Sequence, residues 1–169
     1  MFAGKSTLFL RKLKYLLHRN KKIVLFKPWI DNRISVDYVN CHNLMHHRAY
    51  PVKTPTDVFS ILKKHKIQPD FVFFDEINFF SPDLIEVIQE ILKQKITVVC
   101  SGLTKDFKNK NFLVSEKLVK IVPKIIYRFA GCYRCFKKAE MSQRLVQNDK
   151  QILVGGSESY APVCSACYF

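Results

Sequence analysis

Two short stretches of this sequence carry residue types that bind phosphate and divalent cations. The first, Gly4-Lys5-Ser6-Thr7, matches the second half of the phosphate-binding loop pattern G-x-x-x-x-G-K-[ST]. In such a loop the backbone N–H groups point at the phosphates, the lysine neutralises phosphate oxygens, and the hydroxyl that follows it binds Mg²⁺. The first glycine of the pattern would precede Met1, so this match needs support from the rest of the chain.

A phosphate-binding loop normally follows a buried strand, and that strand would also precede Met1. Two explanations are open at this point: the true translation start lies upstream, or the gene is a fragment. If the protein starts at Met1, we expect impaired phosphate binding, a sheet that lacks one interior strand, and a weakly active or inactive enzyme.

The second stretch is Phe71-Val72-Phe73-Phe74-Asp75-Glu76, a short apolar run that ends in two acids. This is the Walker B form, in which a buried strand places an aspartate that holds Mg²⁺ opposite the phosphate-binding loop. We therefore assign Asp75 to the metal and Glu76 to proton transfer in the same crevice. Acids at the end of a strand can also be turn residues, and the phosphate-loop half favours the functional interpretation.

A third polar group, Asp31-Asn32-Arg33, comes shortly after the apolar run Ile23–Phe26. Ligands bind at the carboxyl ends of parallel strands. An arginine there can reach a transferring phosphate, and an aspartate can hold a metal or its waters. A polar turn with a surface ion pair is the alternative interpretation.

Four of the six cysteines form two C-x-x-C pairs, Cys132 with Cys135 and Cys164 with Cys167. Four thiolates in two such pairs hold a tetrahedral Zn²⁺ that joins two turns. Because a closed four-sulfur site has no open position, we expect this zinc to be structural. The other cysteines and the nearby histidines lack paired ligand spacing, and we interpret them as loop or core residues: Cys41, His42, His46, His47 and Cys100.

Apolar periodicity predicts the elements that position these residues. Helices are expected over 6–20, 56–66, 82–92 and 115–119, and strands over 23–26, 71–74, 96–100 and 121–129. Their alternation predicts an α/β fold with a parallel sheet and helices on both faces. Together with the phosphate-loop half, this indicates a P-loop NTPase-like sheet. Three hydroxyl side chains are expected as helix N-caps: Thr56, Ser81 and Ser115.

The remaining segments are less regular. Residues 35–55 show no clean period, and Ile152–Gly156 is a candidate hairpin strand between the cysteine pairs. We expect two domains: an α/β domain over residues 1–130, and a small zinc-ribbon-like domain over residues 131–169 that closes over a ligand.

The chain has 169 residues and a net charge of +14, which makes polyanions the expected partners. Nucleic acid and a small phosphate ligand both fit, and compositional bias toward lysine is a third explanation. No apolar run is long enough to predict a membrane-spanning helix. The N-terminal segment is too rich in Lys and Arg for a secretory signal, so we expect a cytoplasmic protein with reduced thiols.

In order and spacing, these motifs resemble those of the type II thymidine kinase family over essentially the whole chain. The family pattern G-P-M-F-[SA]-G-K-[ST] matches Met1–Thr7 from its methionine onward, and its D-x-R matches Asp31-Asn32-Arg33. The two cysteine pairs, the G-G-x-x-x-Y stretch that ends at Tyr160, and the terminal Cys-Tyr-Phe also fit.

Two further family patterns match with one substitution each. D-E-x-Q-F-F corresponds to Asp75–Phe80, with Asn78 in place of the glutamine. G-L-D-x-x-F corresponds to Gly102–Phe107, with Thr104 in place of the aspartate. Because both replacements keep a polar side chain, we expect an altered hydrogen-bond network rather than lost chemistry.

The resemblance implies transfer of the γ-phosphate of ATP to the 5′-hydroxyl of thymidine or deoxyuridine. It also implies catalytic Mg²⁺, structural Zn²⁺, a homotetramer, and feedback inhibition by thymidine triphosphate. Glu76 is then the general base that removes the proton of the 5′-hydroxyl. Lys5 and Arg33 stabilise the developing charge, and Ser6 with Asp75 places the metal.

The resemblance also divides the site residues into two groups. The group for ATP and Mg²⁺ comprises Met1, Phe2, Ala3, Gly4, Lys5, Ser6, Thr7, Asp31, Asn32, Arg33, Asp75 and Asn78. The group for the nucleoside comprises Phe79, Leu103, Phe107, Phe112, Ser142, Gln151, Ile152, Leu153, Val154, Gly155 and Tyr160.

Within the nucleoside group, flat phenylalanine faces suit a pyrimidine ring. The segment Gln151–Gly155, closed by Tyr160, is expected to loop around the base and hold it with main-chain N–H and C=O groups. Ser142 is expected near the thymine methyl group. Core packing is the alternative for each single phenylalanine, and we assign Phe80 to the core.

Two other functions stay open. A nucleic-acid-binding P-loop ATPase with a zinc ribbon suits the positive charge and the cysteine pairs, although no element gathers basic and aromatic residues into one stripe. The second open possibility is a non-catalytic remnant that only folds and associates.

Overall fold

The structure is a computed structural model that describes residues 2–31, 38–40 and 46–168. Its α-helices are α1 (Lys5–His18), α2 (Asp57–Lys64), α3 (Leu84–Lys93) and α4 (Leu113–Val119). The strands of the first two thirds are β1 (Ile23–Pro28), β2 (Tyr38–Asn40), β3 (His46–Arg48), β4 (Tyr50–Val52), β5 (Phe71–Phe74) and β6 (Thr97–Cys100). Those of the last third are β7 (Ala130–Gly131), β8 (Lys138–Ala139), β9 (Met141–Arg144) and β10 (Tyr160–Val163).

A parallel sheet with the strand order β4-β1-β5-β6 organises the first two thirds of the chain. β5 is central: its Val72 pairs with Val24 of β1 on one side and with Val98 of β6 on the other. The carboxyl ends of β1, β5 and β6 therefore lie side by side, and the residues that follow them meet at one edge of the sheet.

Both faces of the sheet are covered by helices, which explains why its strands are continuous apolar runs. On one face Leu10 and Leu13 of α1 pack against Phe73 of β5. On the other face α2, α3 and α4 cover the neighbouring strand positions, including Phe74. Successive residues of a strand point to opposite faces, so the two cores use alternate residues of β5. The predicted α/β fold class is confirmed.

The predicted strand over residues 121–129 is wrong. The structure assigns no strand there, and most of these residues are exposed, Ile126 to 61%. Within the described residues this segment pairs with no strand, although β6 is an edge strand of the sheet and pairs only with β5. One side-chain contact ties it to the N-terminal turn, because Arg128 Nε donates to the backbone oxygen of Ala3 at 3.4 Å.

Two predicted N-caps are also misplaced. Ser115 lies inside α4, and its hydroxyl donates to the backbone oxygen of Leu103 at 2.6 Å. Asp83 rather than Ser81 precedes α3, although Ser81 Oγ donates to Asp83 at 3.1 Å. Thr56 does precede α2 but makes no side-chain capping bond.

The irregular segments also differ from expectation. Residues 152–156 form no strand, and the hairpin of this region is β9 with β10 instead. The segment without a clean period contains three short strands, of which β4 joins the main sheet. The sequence did not predict β4 because this edge strand has only three residues and one of them is Pro51.

The last third contains two small antiparallel sheets, β7 with β8 and β9 with β10. A small cluster of buried residues joins them: Cys132, Ala139, Val163 and Cys164. The division into two domains near residue 130 stays a prediction. Among the described residues, none of the helices is long and apolar enough to cross a membrane.

The neighbouring residues Ile91 and Leu92 of α3 give a direct test of the core. Ile91 is fully buried and Leu92 is 50% exposed. We expect Ile91→Ala to lower the free energy of unfolding by about 2–5 kcal/mol because it leaves a cavity against the sheet. Leu92→Ala, the matched control, should change it by less than about 0.5 kcal/mol. Urea denaturation measures both, and equal effects would contradict this packing.

Candidate active site

A cavity of about 740 Å³ lies at the carboxyl edge of the sheet, within the size range of ligand pockets. Four main parts of the chain surround it: the N-terminal turn with the start of α1, the ends of β1 and β5, the segment between β6 and α4, and the β9–β10 hairpin with its loop. Its location agrees with the general rule for ligand sites in parallel α/β sheets.

The N-terminal turn delivers the start of α1 to this cavity. Gly4 has a left-handed backbone (φ 69°) and precedes the helix, which begins at Lys5 and continues for 14 residues. The first turn of a helix has N–H groups without intrahelical acceptors and a partial positive charge. No acidic side chain lies in this first turn, and Lys5, Ser6 and Thr7 all line the cavity. The arrangement therefore favours an anion such as phosphate.

Asp75 lies directly after β5 and is 5% exposed. Its backbone N–H donates to Phe26 of β1 at 3.0 Å, which continues the sheet pairing by one residue. Burial raises the pKa of its carboxyl to about 7, repulsion from Glu76 adds to this, and attraction by Lys5 opposes it. Asp75 Oδ1 has no hydrogen-bond partner among the described residues. A buried carboxylate oxygen of this kind suits a hard divalent cation, so Asp75 fits the implied Mg²⁺.

Glu76 follows with a left-handed backbone (φ 47°, ψ 48°), which is unusual for a residue with a side chain. Its side chain lines the cavity. The turn is held from the next strand, because Ile77 N–H donates to the backbone oxygen of Ser101 at 3.0 Å. A Cβ on Gly102 would lie 2.5 Å from Ile77 Cγ1, so only glycine allows this close approach. The packing thus stabilises an otherwise costly backbone conformation.

Asn78 does not line the cavity. It is buried, and its Oδ1 accepts a hydrogen bond from the N–H of Leu103 at 2.8 Å. The residue assigned by resemblance to the ATP group therefore supports the Leu103 loop in this structure. An asparagine oxygen can accept this bond as a glutamine oxygen does.

Besides Phe2 of the N-terminal turn, three phenylalanines line the cavity: Phe79, Phe107 and Phe112. Phe112 is 6% exposed, whereas the other two are half-buried. Leu103 and Ser142 line the same region. Phe80 instead packs in the core against Phe74, with the ring centroids 6.0 Å apart, as the sequence predicted.

The loop between β9 and β10 forms the remaining wall. Gln151, Leu153 and Gly155 line the cavity together with Tyr160, whereas Ile152 and Val154 do not. Tyr160 Oη donates to the backbone oxygen of Leu153 at 2.8 Å. Gln151 Nε2 donates to Asp106 Oδ2 at 3.0 Å, which joins this loop to the one that carries Phe107.

The cavity also contains residues that the sequence analysis missed: Lys27, Val39, Lys105, Asp106, Gly156, Ser157 and Glu158. Lys27 could have been found, because it directly follows the predicted buried strand over residues 23–26. It is 3% exposed, which is unusual for lysine. Met1, Asn32 and Arg33, together with Cys41 and His42, lie outside the described residues.

The four paired cysteines come together at the end of the β9–β10 hairpin away from its loop, where Val163 pairs with Met141. Their sulfurs all lie within 4.8 Å of one another, and Cys135 Sγ is 3.5 Å from Cys164 Sγ. Sulfurs around a tetrahedral zinc are about 3.8 Å apart, given Zn–S bonds of about 2.3 Å. The donor set and its spacing therefore fit Zn²⁺.

The acidity of these thiols differs along the cluster. Burial disfavours ionisation of Cys132, but hydrogen bonds from backbone N–H groups outweigh it and lower the pKa of this thiol to about 6. Interactions with the sulfurs of Cys135 and Cys164 raise the pKa of Cys167 to about 12. A cluster in which one thiol ionises readily is ready to bind a cation that displaces the other protons.

The raised pKa of Asp75 predicts how stability depends on pH without magnesium. The folded-state pKa of about 7 exceeds the ordinary 3.8, so between these values the folded protein binds more protons than the unfolded chain. Its free energy of unfolding should therefore decrease as the pH rises from about 4 to about 7.

Urea denaturation in magnesium-free buffer tests this dependence, with Asp75→Asn as the control that has no ionisable group at this position. Above about pH 7 the variant should be more stable than the wild type. Parallel stability curves for the two proteins would contradict the assignment.

Zinc content tests the cysteine cluster. The wild type should contain about one Zn²⁺ per chain. Cys164→Ser removes one of four ligands, so it should lose most of the metal and lower the melting temperature. Cys100→Ala, which changes a thiol outside the cluster, should retain it. Atomic absorption of purified protein gives the stoichiometry, and full zinc retention by Cys164→Ser would exclude this site.

Comparison with known proteins agrees with the geometry. The family model described as thymidine kinase matches residues 1–168. The chain is 35% identical over 170 residues to a thymidine kinase of Pseudothermotoga lettingae, covering 99% of this chain and 90% of the relative. Thymidine kinases of Mycoplasma capricolum (34%; 99% and 84% covered) and Thermococcus kodakarensis (36%; 97% and 87% covered) are similar. The resemblance seen in the motifs is confirmed, and the chain belongs to the thymidine kinase family.

Proposed function

We propose that this protein transfers the γ-phosphoryl group of ATP to the 5′-hydroxyl of thymidine or deoxyuridine. The observation that carries the proposal is that the Glu76 side chain lines the same cavity as Lys5 and the aromatic residue Phe107. One cavity thus offers a phosphate site, a proton acceptor and an aromatic wall. Membership of the thymidine kinase family supports the same reaction.

The phosphates of ATP bind at the start of α1. The N–H groups of the first helical turn and the Lys5 ammonium donate hydrogen bonds to oxygens of the β- and γ-phosphates and offset their negative charge. Ser6 and Asp75 would hold Mg²⁺, which neutralises phosphate charge when bound. Arg33, assigned from its motif, adds a second cation for the transferring group.

Glu76 is the general base. Its carboxylate removes the proton of the 5′-hydroxyl as the hydroxyl oxygen bonds to the γ-phosphorus. The bond from that phosphorus to the β–γ bridging oxygen breaks, and ADP leaves with this electron pair. The turn that carries Glu76 is packed against Gly102, which limits movement of the carboxylate during the reaction.

The nucleoside binds at the other end of the cavity. Phe79, Phe107 and Phe112 provide apolar surface for a pyrimidine, and a stacking contact of this kind is worth about 1–3 kcal/mol. The main chain of Gln151–Gly155 holds the polar edge of the base, and Ser142 lies near the thymine methyl group.

We also propose a homotetramer, feedback inhibition by thymidine triphosphate and a cytoplasmic location, all from the family resemblance. The alternative of a nucleic-acid-binding ATPase is not favoured, because the curated relatives matched here are thymidine kinases. If the protein were instead a non-catalytic remnant, it would form no thymidine monophosphate in the assay described below.

Glu76→Gln tests the proposed base. The amide cannot accept the proton, so kcat should decrease by about 100-fold or more, while ATP affinity stays within about twofold. Coupled ADP release in the presence of thymidine measures turnover, and calorimetry measures ATP binding. Glu86→Gln, an exposed change on α3, is the matched control.

Two results would count against these assignments. Turnover retained in Glu76→Gln would remove Glu76 from the role of base. A zinc-loaded wild type that makes no thymidine monophosphate from ATP would overturn the proposed function itself.

A further inference from the structure

Arg144 ends β9 and contacts the loop that leads to β10 through backbone oxygens. Its Nη1 donates to the oxygens of Asn148 at 2.6 Å and Lys150 at 2.7 Å. Its Nη2 donates to the oxygen of Gln151 at 3.3 Å and to Tyr160 Oη at 2.7 Å. One half-buried guanidinium thus satisfies three carbonyls of this loop and one hydroxyl.

The same guanidinium lies against an aromatic wall of the cavity. Arg144 Cζ is 3.6 Å from the centroid of the Phe107 ring, close enough for a cation–π interaction. Tyr160 Oη accepts a hydrogen bond from Arg144 and donates one to the backbone oxygen of Leu153 at 2.8 Å. Arg144 therefore contacts Phe107 directly and Leu153 through Tyr160, and both of these residues line the cavity.

Arg144 itself does not line the cavity, so it acts through these neighbours. Its Nε is buried and has no hydrogen-bond partner among the described residues. An unsatisfied buried donor is unfavourable. The guanidinium is therefore oriented to donate to the loop carbonyls, although this orientation leaves its Nε without a hydrogen-bond partner.

We propose that Arg144 is a positioning residue, whose guanidinium fixes both the Gln151–Gly155 wall and the Phe107 ring of the cavity. That the group received there is a pyrimidine nucleoside rests on the proposed function. Lysine would not replace it, because a guanidinium offers a planar fork of donors and an ammonium is a compact point charge.

Hydrogen exchange tests the loop contacts without any substrate. In Arg144→Met, amides of residues 148–155 should exchange about 10-fold faster or more, while amides of the main sheet keep their rates. Tyr160→Phe, which removes only the hydroxyl, should show a smaller effect near Leu153. Arg19→Met is the matched control, since its guanidinium lies over Tyr15 on α1, away from the cavity.

Steady-state kinetics tests the consequence for the nucleoside. Arg144→Met should raise the KM for thymidine by about 10-fold or more and leave the KM for ATP within about twofold. A purely structural role would change both substrates and the zinc content together. Arg144→Lys should restore little of the thymidine KM, because charge alone does not supply the fork. Should the methionine variant fail to fold, the lysine variant and Tyr160→Phe carry both measurements.

The two proposals fail in different ways. Unchanged exchange at residues 148–155 in a folded Arg144 variant would overturn the positioning role, and so would equal rises in both KM values. A wild type without thymidine phosphorylation, combined with faster exchange in Arg144→Met, would overturn the proposed function and support the loop contacts.

Discussion

The site depends on two acids held at the end of β5, of which Val72, Phe73 and Phe74 are buried. β5 is paired on both sides and packed on both faces, so the residues that follow it have little freedom. Asp75 is desolvated there beside Glu76, and the raised pKa of Asp75 reflects that environment. A cation near Asp75 would relieve both burial and repulsion. The same arrangement that weakens the metal-free protein therefore prepares it to bind a metal and a phosphate.

The aromatic side of the cavity, with Phe107 and the loop between β9 and β10, is built differently, from loops held at two points. At one end four thiols gather within 4.8 Å and fit a zinc ion. At the other end Arg144 holds loop carbonyls and the Phe107 ring. Without such anchors a loop of this length would carry the entropy of many backbone conformations. A side chain with several donors suits this position, because the carbonyls to which Arg144 donates belong to a segment without regular secondary structure.

Local patterns predicted the main sheet well and its periphery poorly. The runs at β1 and β5 are apolar because both sheet faces are buried, and that requirement is visible in the residues themselves. Residues 121–129 are also mostly apolar, but they pair with no strand among the described residues, so apolar composition alone gave a wrong prediction. β4 shows the opposite error: its short sequence with a proline does not predict a strand, but its pairing with β1 makes it one.

The sequence by itself determined the α/β class, the cysteine cluster, the family and the types of residue that could perform phosphoryl transfer. These properties are written in short-range spacing and side-chain chemistry. Only the tertiary structure decided that Asn78 supports Leu103, that Asp106 reaches the cavity, and that Arg144 holds the loop. Each of these contacts joins residues that belong to different elements or a non-repeating loop. No periodicity encodes such a contact, because it exists only once the sheet has brought its two partners together.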